Sequence, residues 1–188
     1  MTAVARPRVA TSPRALAGPA VALALIVAGI GLAVSKAPDT HRLVVGLGYL
    51  GVLALIAAHD ARTLRAPNRF IYPALAAAIL ASLTLGWSDA LEALAGGALS
   101  FAVLLGLAFV GRGAMGAGDV KVGALCGIAL GLHGVIPMLL VTFVAGGVTA
   151  APLLLLGIRR RTDSIAFTPF LVAATIFCMA YFHLYLWG

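Results

Sequence analysis

The feature that most constrains this chain is its series of long apolar runs, separated by short gaps that carry arginine. At 1.5 Å per residue, about 20 apolar residues in a helix cross the roughly 30 Å hydrocarbon layer of a bilayer. The runs fall at 16–35, 43–59, 70–87, 90–110, 120–132, 135–157 and 165–187. The fifth reaches only about 20 Å. It is therefore a thin span, a half-membrane helix, or one end of a helix broken at Gly131 and Gly134. Of the 188 residues, 62% are apolar and 10% are charged. A soluble domain carries about 45–50% and about 25%, so a soluble fold of this size could not hide so much apolar surface. Disorder requires the opposite composition. The expected fold class is all-α: a polytopic transmembrane helical bundle of six to seven spans. The first run is long, and no small-x-small cleavage site follows it before Lys36, so it reads as a retained helix and not a cleaved signal. The polar residues 1–15 read as a loose cytoplasmic tail and 16–188 as a single transmembrane domain.

The gaps give the orientation. The net charge is +7, and 11 of the 13 basic residues lie on alternate gaps. These are Arg6, Arg8 and Arg14; Arg62, Arg65 and Arg69; Arg112 and Lys121; and Arg159, Arg160 and Arg161. Only Lys36 and Arg42 fall on the other side. The positive-inside rule then puts the N-terminus in the cytoplasm. Placing the Arg159–Arg161 loop inside requires 120–132 to cross. Basic residues placed between apolar runs suit contacts with anionic membrane lipid, not nucleic acid. Cys126 and Cys178 lie in apolar runs without a CxxC pattern and read as small core residues. Trp87 and Trp187 fall near outer boundaries, as interfacial anchors do.

Ionisable residues at membrane depth mark function by default. Asp39 and Asp89 sit in outer gaps, Asp163 sits beside three arginines, and Glu92 suits the start of its own helix. Asp60 and Asp119 stand apart from these. Asp60 closes the second run in Ile56-Ala57-Ala58-His59-Asp60. Asp119 opens the fifth in Gly116-Ala117-Gly118-Asp119-Val120-Lys121. Both belong at the cytoplasmic edge of the bilayer. Each alone reads equally well as a helix cap or a span boundary. Two carboxyls that approach closely share one proton, so one serves as base and the other as acid. That pair can activate water against a peptide carbonyl and protonate the leaving amine. Gly116 and Gly118 would let a substrate strand approach the backbone. Against this stands the plain reading of Gly-Ala-Gly as a flexible loop or a close helix contact. His59 adjoins Asp60 in sequence, but consecutive helix residues do not face one another. His41, His133 and His183 suit interfacial packing. No metal-ligand spacing and no GxSxG is present.

These residues resemble the type IV prepilin peptidases, aspartic proteases of the cytoplasmic membrane. Gly116 to Lys121 matches their GxGD motif with its following Lys. Asp60-Ala61-Arg62-Thr63-Leu64-Arg65-Ala66-Pro67-Asn68 resembles their first aspartate and the loop that ends in Pro-Asn or Pro-Asp. Ile165-Ala166-Phe167-Thr168-Pro169-Phe170-Leu171 resembles their Phe-Gly-Pro-Phe segment. The resemblance implies that Asp60 and Asp119 are catalytic. Gly116 and Gly118 would shape the second loop, Lys121 would orient or supply charge, and Pro67 and Asn68 would lie in the first loop. It also implies cleavage of leader peptides from prepilin-like proteins after a Gly at the cytoplasmic face, with no metal or other cofactor. Ala66 departs from the family's aliphatic residue, and Thr168 replaces its Gly. Longer members carry paired CxxC motifs and methyltransferase activity, so this chain is expected to be a short, peptidase-only form. Two rival readings are a small membrane transporter and a non-catalytic pilus assembly component. A transporter would hold its acids near the midplane and show repeat symmetry. A scaffold would tolerate loss of both aspartates.

Overall fold

The computed structural model describes residues 24–25, 27–31, 34–35, 40–63, 68–111, 115–155 and 167–181. The helices are α1 (Thr40–Thr63), α2 (Asn68–Leu85), α3 (Trp87–Val110), α4 (Ala117–Leu155) and α5 (Thr168–Tyr181). The described residues within 24–35 are helical too, and Gly29 there lies against Leu50 of α1. No strand occurs among the described residues. Four helices are long and apolar enough to cross a membrane: α1, α2, α3 and the Ala117–Pro152 part of α4. The chain is a helical membrane protein. The tail 1–15, Pro67, the Arg159–Arg161 loop and the end of the last run lie outside the described residues.

Among the described residues, runs 43–59, 70–87 and 90–110 coincide with α1, α2 and α3 to within four residues, and runs 120–132 and 135–157 with the two parts of α4, except that only one of the two expected glycines breaks the helix. α4 consists of two helical segments, 117–130 and 132–155, divided at Gly131 alone (φ 68, ψ −179). Gly134, expected to share the break, is helical. The interruption reverses the chain. In a straight helix Phe143 would lie about 36 Å along the axis from Asp119. Instead, Phe143 packs on Phe167 with ring centroids 5.7 Å apart, and the next residue, Thr168, hydrogen-bonds Asp119. The segments 117–130 and 132–155 are thus arms of a helical hairpin. Gly131 makes the bend because its backbone conformation is open to glycine and to almost nothing else.

Reversal exposes the first N–H groups of the second arm, which need acceptors. Glu92 supplies one. Its Oε1 accepts from the His133 backbone N–H at 3.3 Å and lies 2.7 Å from His133 Nδ1. Glu92 was expected to serve the start of its own helix. However, α3 begins at Trp87, its first-turn acid is Asp89, and Glu92 caps a neighbouring helix instead.

The first arm is the axis of the bundle. Residues 122–131 are all buried, which fits a helix that is apolar on every side. Leu53 and Ile56 of α1, Leu125 and Ile128 of α4, and Leu171 and Val172 of α5 share the core. α3 runs antiparallel to this arm along a seam of small residues. A Cβ on Gly96 would collide with the backbone of Gly127 and Gly131, and a Cβ on Gly127 with the Gly96 carbonyl. Ser100 Oγ donates to the Gly123 carbonyl across the same seam at 2.7 Å. Such close backbone approach is how helices associate in lipid, where apolar contact with a neighbour gains little over contact with lipid.

Candidate active site

α1 ends where the first arm of α4 begins and where α5 begins, so three helix ends meet at one end of the bundle. Each contributes one polar residue. Asp60 lies in the last turns of α1 and is 4% exposed. Asp119 lies in the first turn of α4. Thr168 is the first residue of α5 and is fully buried. The two aspartates are 59 positions apart in sequence, yet close enough for their charges to interact.

Thr168 is bonded to the second of them. Its Oγ1 donates to Asp119 Oδ1 at 2.9 Å. Asp60 Oδ2 is buried and makes no hydrogen bond to a described residue. The Asp119 side chain folds back over the start of its own helix. Its backbone N–H donates to the Gly116 carbonyl at 3.0 Å, and a Cβ on Gly116 would lie 3.2 Å from Asp119 Oδ2. Gly116 therefore leaves the carboxyl room, while Gly118 is a half-buried residue of the first helical turn.

Lys121 does not turn to the aspartates. Its Nζ donates to Asn68 Oδ1 and to the Tyr72 hydroxyl, each at 2.9 Å, and stands 4.7 Å from the centre of the Tyr72 ring. This ties the first arm of α4 to the start of α2, and so holds the segment after Asp60 against the segment after Asp119. Of the first-loop pair, Asn68 makes the contact, while Pro67 lies outside the described residues. His59 also faces away. Its Nδ1 is 3.0 Å from Thr63 Oγ1, and its ring meets Phe70 edge-on. Beside it a cavity opens between α1 and α2, lined by Val52, Leu55, Phe70, Pro73 and Ala77, with Arg62 and Arg69 at its polar end.

A second group of polar residues gathers at the opposite end. Arg42 pairs with Asp89 at 2.9 Å, His41 lies 3.4 Å from Thr84 Oγ1, and Glu92 meets His133. Among the described residues, no three of His, Cys, Asp and Glu converge as a ligand set for a metal. Cys126 and Cys178 are buried and unpaired. Two residues of the site carried no expected role, Thr168 and Tyr72. Thr168 stood out in sequence as a departure from Gly. Nothing marked Tyr72 except its four-residue spacing from Asn68, which puts both on one helix face.

A family model described as the type IV leader peptidase family matches residues 47–151, a stretch that holds both aspartates, Asn68, Tyr72 and Lys121. The chain belongs to the type IV leader peptidase family. A curated relative, the prepilin leader peptidase/N-methyltransferase of Bacillus subtilis (strain 168), is 29% identical over 136 residues. That alignment covers 71% of this chain and 54% of the relative, so the chain spans about half the length of the curated relative it matches. No solved structure matches. The family match ends before Thr168, so this member of the leader peptidase family completes its site with a residue from beyond the matched stretch.

Proposed function

We propose that the chain is a membrane-embedded aspartic endopeptidase. In this reading it removes the leader peptide of prepilin-like proteins at the cytoplasmic face of the inner membrane. The observation that carries the proposal is the meeting of Asp60 and Asp119, from separate helices, at one end of the bundle, where α5 adds a buried hydroxyl bonded to Asp119. Family membership supports the substrate class. The end position of the acids argues against a transporter, whose charges belong near the midplane.

The arrangement suits a division of labour. Asp119 lies at a helix N-terminus, where the dipole favours negative charge, and it accepts from Thr168. It is the base. Asp60 lies toward a helix C-terminus, with Oδ2 free of donors among the described residues. It is the acid. Asp119 takes one proton from water as the oxygen adds to the scissile carbonyl. Asp60 gives its proton to the amide nitrogen, and the C–N bond breaks. The products are a carboxyl and an amine, and the proton on Asp119 returns the pair to its singly protonated state. A substrate with a basic leader followed by an apolar helix presents its junction at this depth. The groove between α1 and α2 is a lateral path for the apolar part.

The test is cleavage of a prepilin-type substrate co-expressed with wild type, Asp60→Asn or Asp119→Asn, followed by N-terminal sequencing. Loss of general acid–base catalysis costs roughly 100- to 10,000-fold. Each single variant should therefore leave the leader in place. Near-normal cutting by either would end the shared-proton mechanism.

A further inference from the structure

A hydroxyl carries one proton to donate and two lone pairs to accept with. Thr168 Oγ1 commits its proton to Asp119 Oδ1, and a donated proton stabilises the charged form of that carboxyl. Thr168 starts α5 and is followed by Pro169, which is preorganised for the first helical position. A threonine at such a helix start would ordinarily turn its oxygen to the free N–H groups of its own helix. Here the hydroxyl crosses to α4 instead. The residue is fully buried, so no water competes for the bond.

We propose that Thr168 is a positioning residue for the aspartate pair: its hydroxyl bridges from α5 to Asp119 on α4, orients that carboxyl, stabilises its charged form and so leaves the shared proton to Asp60. The inference rests on the diaspartyl reading above and deepens it. The hydroxyl stays intact through the reaction and touches neither substrate nor water. The sequence segment that Thr168 belongs to resembles one with Gly at this place, which offers no side-chain donor. The bridge is therefore this chain's own device, and α5 becomes part of the site through it.

The test uses the full-length protein in proteoliposomes with a synthetic peptide that carries a basic leader, a Gly junction and an apolar helix. Thr168→Val keeps the shape and removes the hydroxyl, and Thr168→Ser keeps the hydroxyl. Asp60→Asn and Asp119→Asn are run beside them. Loss of one hydrogen bond to a charged group corresponds to roughly ten- to hundred-fold in rate. Thr168→Val should lose that much in kcat at unchanged KM, and its pH–rate profile should be displaced from that of wild type. Thr168→Ser should recover most of the loss and the original profile. A second readout needs no substrate. The infrared carboxyl bands that vanish in the two Asn variants should titrate differently in Thr168→Val and normally in Thr168→Ser. Wild-type kcat, profile and bands in Thr168→Val would overturn the bridge. So would a Ser variant as impaired as Val, which would reduce Thr168 to packing. If the Asn variants still cut, the diaspartyl reading itself falls and takes the bridge with it. If they are dead while Thr168→Val is normal, only the bridge falls.

Discussion

Lys121 illustrates what a single residue can and cannot disclose. Its place after Asp119 suggested a charge aimed at the active carboxyls, but its hydrogen bonds go to Asn68 and Tyr72 on another helix. Nothing in a one-dimensional pattern separates these roles, because the Lys side chain is long enough to reach either. The contact is exposed, and exposed polar pairs contribute little, about 1 kcal/mol or less. Lys121→Met and Tyr72→Phe should therefore each lower stability modestly. In a double-mutant cycle their effects should couple by roughly 0.5–1 kcal/mol. Denaturant unfolding in mixed micelles would measure it, and strict additivity would mean the contact contributes nothing. Asp60 and Asp119 were legible by contrast. A charge at the end of an apolar run is costly unless it has a use. Thr168 was visible only as a departure, since its value depends on what lies across from it.

At the scale of elements, the hairpin in α4 is the feature that pattern alone underdetermined. Two apolar runs divided by Gly131 and Gly134 are equally compatible with a kinked long helix, two spans or a half-span. Glycine permits a break without requiring one. The structure breaks at Gly131 and keeps Gly134 helical, and Glu92 reaches over from α3 to cap the second arm. Gly131→Ala should cost roughly 1–3 kcal/mol through backbone strain. Gly106 offers the matched control. It lies in α3, and a Cβ there meets nothing within 4 Å. Gly106→Ala should be neutral or stabilise by up to about 1 kcal/mol through helix propensity. Thermal or denaturant unfolding of the pair separates conformation from simple glycine content. Equal effects would show that the bend has no special demand. The small-residue seam of Gly96, Ser100, Gly123 and Gly127 was there to be read at four-residue spacing. It marks a helix contact only when the partner is known, because glycine is common in membrane helices.

For the whole molecule, the two ends of the bundle differ in the way the basic gaps anticipated. Arg62, Arg69 and Lys121 share the end that holds the aspartates, and Arg42, Asp89, Glu92 and His133 share the other. If the positive end faces the cytoplasm, a thiol at position 69 should react with a membrane-impermeant reagent only from the cytoplasmic side, and one at position 87 only from the outside. Arg69→Cys and Trp87→Cys suit this, because both positions are exposed and the native cysteines are buried. The reverse labelling would move the site to the other face and remove the cytoplasmic cleavage proposal. The membrane class, the helical architecture and the two aspartates were all set by the sequence, because they follow from local quantities: the length of an apolar run, the charge of a gap, the cost of an acid at its edge. Which helices adjoin, where the chain turns back, which way Lys121 points and what holds the Asp119 carboxyl were decided only by tertiary structure. These depend on packing between residues far apart in the chain, where a missing Cβ on Gly96 or one hydroxyl on Thr168 sets the geometry.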